Sequence, residues 1–417
     1  MFRMPLTAGR KSLRGVVSGF ALVATLAGGA VIGTAMASAP AAAQSKPKNS
    51  KKFVDAYTPV SNAVNAEGGD LNAAKAQLPG VIAAVENETD RFLAGNLALV
   101  LGGKLTDKAL QRQGLEIMLQ SGQVEPDKVA QFQFFVGQLA LDAKDYPAAL
   151  AALKQAKDGG FQEPALDQLI FAAYIENNQA NEGLAFLKTT LGAGTSDAVL
   201  RAALQAAYDS KDSALANEWS ATLVKQSPTE ANWKSAIQVV EASNDFDAQA
   251  TLDLMRLMSA TGSLKEEREF RNYIEAADPR IMSNEVLRVI ASGQQAGVFA
   301  GDDAYVAEVK AIADPRAPED QREAAGLATA ARSSGAARDA LIAGNVMMSL
   351  AKYAEAEEMF ALALEKGAPD RDLAATRLGI AQAHQGKAAE AKATLDQVTG
   401  ARAPLAQLWA IYAASKS

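Results

Sequence analysis

Residues 344–398 read GNVMMSLAKYAEAEEMFALALEKGAPDRDLAATRLGIAQAHQGKAAEAKATLDQV and contain one pattern written twice. Gly344, Tyr353, Ala356, Phe360 and Ala363 form the first copy. Gly379, Ala388, Ala391, Leu395 and Val398 follow 35 residues later with the same internal spacing. Far upstream, Gly137, Tyr146, Ala149, Leu153 and Ala156 repeat it again. A fixed period of this length is the mark of stacked helix pairs, each unable to bury its apolar face alone.

The pattern predicts two short antiparallel helices and a tight turn. Glycine in a helix interior costs roughly 1 kcal/mol relative to alanine, so a recurring one needs a packing reason. Gly137, Gly344 and Gly379 are expected where a larger side chain would hold the neighbouring helix away. Ala149, Ala356 and Ala391 are expected at the matching close approach on the second helix. Leu153, Phe360 and Leu395 lie one turn further along that face and are expected to fill the space between repeats. Ala143-Lys144-Asp145 and Gln385-Gly386-Lys387 supply the breaks.

In these residues the chain resembles the tetratricopeptide repeat family. The first helix lacks the family's usual large aromatic, with Gln133, Ala340 and Ala375 at the matching places, and the closing proline is displaced to Pro164, Pro369 and Pro404. The resemblance implies an all-α solenoid of stacked helix pairs wound as a right-handed superhelix. It also implies a concave groove lined by first helices. Counted from the matched glycines, the groove candidates are Phe134, Gln138 and Leu141; Leu341, Asn345 and Met348; and Thr376, Ile380 and Ala383. Such a mixture of apolar and amide side chains suits a protein or peptide partner. Leu341 stands where a carboxylate-gripping member would carry lysine.

Outward from the repeats, the ends differ from the body. Arg10, Lys11 and Arg14 precede an apolar run from Gly15 to Met36 and then Ala41-Ala42-Ala43. This reads as an export signal, residues 1–43, cleaved after Ala43. Uncleaved, it would anchor the chain in a membrane. Residues 44–52 carry four lysines and read as a flexible basic leader. The expected compartment is a periplasm or the medium, with no stable membrane insertion of the mature chain. The remaining segments are a helical region over 53–128, repeats over 129–228, divergent helical repeats over 229–336, the repeat pair over 337–403 and a capping helix over 404–417. In the divergent part, Ala277-Asp278-Pro279-Arg280 recurs as Ala313-Asp314-Pro315-Arg316 and predicts a repeated turn. Leu405, Leu408, Trp409 and Tyr412 share one face of the last helix. Its other face, Ala406, Gln407, Ala410 and Ala413, is a second candidate docking surface.

Composition narrows the chemistry. Hydrophobic residues make up 49% and aromatics only 6%, which favours thin, closely packed helices. The chain has 41 basic and 48 acidic residues. Removing the four basic residues of the signal leaves 37 against 48, a balance of −11. So acidic a body is a poor ligand for nucleic acid. There is no cysteine, which excludes disulfides, thiolate nucleophiles and zinc–cysteine sites. His384 is the single histidine, so no paired-histidine zinc site can be assembled and any serine–histidine–aspartate triad would have to use it; on a predicted first helix it reads as a partly exposed polar residue rather than a catalytic base. No cofactor or metal site is expected, and no enzyme activity. The function expected is an exported scaffold or adaptor. Two alternatives stay open: an envelope enzyme acting on glycans through a divergent carboxylate site, and a periplasmic subunit of a polysaccharide or protein export assembly.

Overall fold

The computed structural model describes residues 49–192 and 194–416. The expected signal segment 1–43 and residues 44–48 of the expected leader lie outside them. Among the described residues every regular element is helical. The chain divides by packing into two units, between Val199 and Leu200. That division falls inside the stretch 129–228 that repeat spacing groups together.

The N-terminal unit contains α1 (Lys51–Asn65), α2 (Leu71–Ala83), α3 (Glu88–Lys104), α4 (Lys108–Gln120), α5 (Pro126–Asp142), α6 (Tyr146–Asp158), α7 (Leu166–Glu176) and α8 (Ala180–Thr190). Lys51 and Lys52 are thus helical rather than leader, because Ser50 caps α1 by accepting from the Phe53 N–H. Aspartate and asparagine set the next starts in the same way: Asp70, Asn87, Asp107 and Asp145 each accept from the backbone N–H three residues on. Each such cap is worth about 1 kcal/mol. α3 runs through Gly102 and Gly103 to Lys104. Gly102 lets the α4 backbone come close: a Cβ there would lie 2.7 Å from the Gln111 nitrogen.

α9 (Asp197–Asp209) crosses the division. The C-terminal unit continues with α10 (Ser213–Gln226), α11 (Glu230–Ser243), α12 (Ala248–Ala260), α13 (Glu267–Ala277), α14 (Ser283–Gln295), α15 (Ala304–Ser333), α16 (Ala337–Ser349), α17 (Tyr353–Glu365), α18 (Arg371–His384), α19 (Ala388–Leu395) and α20 (Ala403–Ala414). Consecutive helices from α10 to α20 pack on one another. Both units are built from stacked antiparallel helix pairs, the α-solenoid class.

The three matched glycines occupy one setting. A Cβ at Gly137 would fall 2.5 Å from Leu153 Cγ, at Gly344 2.7 Å from Phe360 Cε1, and at Gly379 2.6 Å from Leu395 Cδ2. Each glycine therefore receives the large residue of its own hairpin's second helix, rather than leaving room between hairpins. The pair α7–α8 inverts the arrangement. Phe171 stands where the other hairpins carry glycine, and Gly183 on α8 makes the room, its Cβ position 2.8 Å from Tyr174 Cβ.

The turn within each hairpin repeats more faithfully than the sequence does. Thr106, Lys144, Asn178, Lys211, Ala351 and Gly386 each sit in the middle of a three-residue link at φ between 55° and 74°. The next N–H reaches back over the helix end, as Asp145 to Ala140 O at 2.9 Å and Lys352 to Met347 O at 2.8 Å. This left-handed close satisfies carbonyls that the helix end would orphan.

Two expectations change. Asp278, at φ 57°, does end α13, but Asp314-Pro315 makes no turn. Pro315 and Pro318 both lie inside the 30-residue α15, whose buried stripe of Ala313, Ala317, Ala324, Ala328 and Ala331 holds it along the neighbouring helices. Tertiary packing overrides the local preference of the residue before proline. α20, moreover, does more than cap. It packs on α18 and α19 and also on α10, α11 and α12. Ala406, Ala410 and Ala413 are buried, so the face expected to be bare is covered by the chain itself.

Candidate functional site

The groove candidates are largely interior. Phe134 and Leu141 are buried in the N-terminal unit, where the Phe134 ring lies 5.0 Å from that of Phe161. Met348, Thr376, Ile380 and Ala383 are buried in the C-terminal unit; Gln138, Leu341 and Asn345 are half-buried. Asn345 accepts from Arg377 Nη1 at 2.6 Å, and Thr376 Oγ1 donates to Asp372 O. The reason on the C-terminal side is α20. It packs against α18, the helix that carries Thr376, Ile380 and Ala383.

What α18 and α20 enclose is ionic. Asp253 of α12 has no solvent exposure. It accepts from Arg256 Nη1 at 2.8 Å, Arg402 Nη1 at 2.9 Å and, more loosely, Arg377 Nε at 3.4 Å. Arg377 Nη2 also donates to Gln249 Oε1 at 2.7 Å. Trp409 Nε1 donates to the Asp253 carbonyl at 3.0 Å. Arg256 turns its other edge to Glu285, with Nε and Nη2 each 2.7 Å from a carboxylate oxygen, and the Tyr273 hydroxyl donates to Glu285 Oε1 at 2.8 Å. Burial pushes both carboxyls up, but the guanidiniums around Asp253, and Arg256 with the Tyr273 hydroxyl at Glu285, outweigh it and hold both below their ordinary values. Burial drives Arg377 down, and Arg256 and Arg402 add to the fall. Desolvation alone would make such a cluster unfavourable; it persists because nearly every polar atom is paired.

Arg256, Tyr273 and Glu285 of this cluster form the floor of a cavity of about 140 Å³. Arg256, Tyr273, Glu285, Leu264, Val289 and Met348 are its buried lining. Tyr353 and His384 form a wall, their rings stacked at 4.3 Å and 10°, and His384 meets Trp409 edge-on at 5.6 Å. Arg288, Ser259 and Ser292 stand at the mouth. Burial, then Arg256, lowers the His384 imidazole to about 4, so it is neutral at physiological pH. The sequence marked His384 as a partly exposed polar residue; its half-burial agrees, and its place in an aromatic wall is new. Asp253, Glu285 and Arg377 were not anticipated. The available signal was ionisable residues inside apolar helical runs, as in Leu252-Asp253-Leu254-Met255-Arg256-Leu257 and Thr376-Arg377-Leu378.

The N-terminal unit has a different feature: an open groove of about 450 Å³ between α4 and α5. Leu139 forms its floor and Ala109 and Gln113 its exposed side. Its rim carries both signs, as Lys108 with Asp142 at 2.5 Å and Arg112 with Asp145 at 2.8 Å and Glu116 at 2.7 Å.

No protein-family model matches the sequence, and no curated protein matches it. Among solved structures the chain is similar to a chain of the Naa15/Naa10 complex bound to HypK-THB, with 12% identity, TM-score 0.28 and 85% of this chain covered. It spans 65% of that chain's length. It is also similar to a chain of the APC/C hetero-tetramer Cut9-Hcn1, with 12% identity, TM-score 0.20, and 84% of this chain and 79% of that one covered. Among the described residues no helix is long and apolar enough to cross a membrane, and no group of three metal-ligating side chains is assembled.

Proposed function

We propose that the mature chain, beginning at Gln44 after export, is a scaffold that binds a protein partner in the cell envelope without turning it over. The observation that carries this reading is the α4–α5 groove. A scaffold needs a rigid, partly apolar recess that main-chain and side-chain groups of a partner can enter, and helix-hairpin stacks supply one wherever successive pairs splay. Leu139 offers an apolar seat. Lys108, Arg112, Glu116 and Asp142 place both charge signs around it, which fits an extended peptide segment with one apolar anchor and polar flanks. The export reading rests on the basic, apolar and small-residue succession of residues 1–43.

Affinity capture of the mature chain from its own envelope, followed by mass spectrometry, tests this when run beside an Ala109→Arg, Gln113→Arg double variant. Both positions are exposed, so the fold should survive. Proteins captured by the parent and lost from the variant are the expected outcome. An identical set from both overturns the assignment of the groove.

A further inference from the structure

The cavity of the C-terminal unit is not used by the scaffold reading, and its chemistry is specific. Two guanidiniums line it, Arg256 and Arg288, against one buried carboxylate, Glu285; Arg377 and Arg402 lie behind Arg256 on the fully buried Asp253. Positive charge is therefore in excess. Asp247 is largely exposed; it caps α12 by accepting from the Ala250 N–H and meets Arg402 at 3.4 Å.

The free charged hydrogen-bonding capacity at the cavity is also one-sided. Both oxygens of Glu285 are taken, by Arg256 and the Tyr273 hydroxyl. Arg288 spends only Nη1, on the carbonyls of Asn284 and Ser349, which leaves its Nε and Nη2 without an acceptor among the described residues. The Tyr353 hydroxyl and the His384 ring nitrogens likewise have no protein partner among them. A cationic ligand would find no free carboxylate here; an anion would find donors. Leu264, Val289 and Met348, with Ala260, supply the apolar part of the lining, beside the hydroxyls of Ser259 and Ser292. An engineered apolar cavity of about 150 Å³ accommodates benzene, which sets the scale for this one.

We propose that this cavity binds a small free carboxylate with a compact apolar body, of about six to nine non-hydrogen atoms. Its carboxylate faces Arg288 and the Tyr353 hydroxyl, and its apolar part rests on Leu264, Val289 and Met348. Arg288 confers the charge preference, since a charge-assisted bond to a carboxylate is roughly twice as strong as a neutral one. The closed ion pairs beneath position the site without being spent on the ligand.

The test uses the mature chain with acetate, isovalerate and benzoate as probes and isovaleramide as the neutral control. His384 is the single histidine, so its ring proton resonances report occupancy at this wall and nowhere else. Isovalerate or benzoate should shift those resonances saturably, with acetate weaker. Isovaleramide should bind about tenfold or more weakly than isovalerate. Arg288→Gln, at an exposed position, should weaken isovalerate about tenfold, and Tyr353→Phe several-fold, with unchanged far-ultraviolet circular dichroism in both. Absence of saturable shifts with all three acids overturns the proposal. So does isovaleramide binding as tightly as isovalerate, or unchanged affinity in Arg288→Gln.

Discussion

Gly379→Ala is the most direct perturbation of the packing rule, and Gly326→Ala is its control. Both replace a helical glycine of the C-terminal unit with the best helix former, so both gain about 0.8–1 kcal/mol from backbone propensity. They differ in what the new methyl meets. At Gly326, on the exposed side of α15, a Cβ has nothing within 4 Å. At Gly379 it lies 2.6 Å from Leu395 Cδ2 and closer still to Cγ, about 1 Å inside ordinary van der Waals contact. Leu395 is 2% exposed, so its side chain cannot swing into solvent. α19 must shift or Leu395 must leave its rotamer, at a cost of about 1–3 kcal/mol. Propensity cancels between the two variants, so the difference in their stabilities isolates that packing cost. Urea denaturation followed by circular dichroism should place Gly326→Ala above the parent and Gly379→Ala about 1–3 kcal/mol below Gly326→Ala. Equal stabilisation by both would refute the close approach, and with it the reason the glycine recurs.

Two further outcomes follow from the ionic floor and its wall. The His384 imidazole is lowered from 6.5 to about 4, so between these values the unfolded chain binds a proton that the folded chain refuses. Stability is full above pH 6.5 and falls as the pH drops toward 4, by roughly 2–3 kcal/mol once partial exposure is discounted. A nuclear magnetic resonance titration of the single imidazole should give a midpoint near 4, and His384→Gln should flatten that part of the pH–stability profile; a midpoint near 6.5 contradicts the buried stack. Asp253→Ala removes the carboxylate shared by Arg256, Arg377 and Arg402 and strands their charges. Unfolding of the C-terminal unit should become easier by about 3–5 kcal/mol, with partial recovery on adding Arg377→Leu, as read by denaturation midpoints.

The helical class and the hairpins at Gly137, Gly344 and Gly379 were legible in the sequence, because the pattern that marks them is local to each hairpin. The contact of each glycine with the large residue 16 positions on, in its own hairpin, was not: that residue was expected to fill space between repeats. The hairpins α3–α4 and α9–α10 were harder to see. Their shared feature is a backbone angle at Thr106 and Lys211, which different residues can adopt.

The sequence by itself determined a stack of helix pairs, because periodic apolar faces and small residues leave a short chain segment few other ways to bury itself. Only the tertiary structure decided what the inner face of the C-terminal unit holds. Asp253 meets Arg402 across 149 positions and Trp409 across 156. No local period encodes contacts at that range. They depend on α20 returning to α10, α11 and α12, and that return encloses an ionic core with a small cavity at its edge.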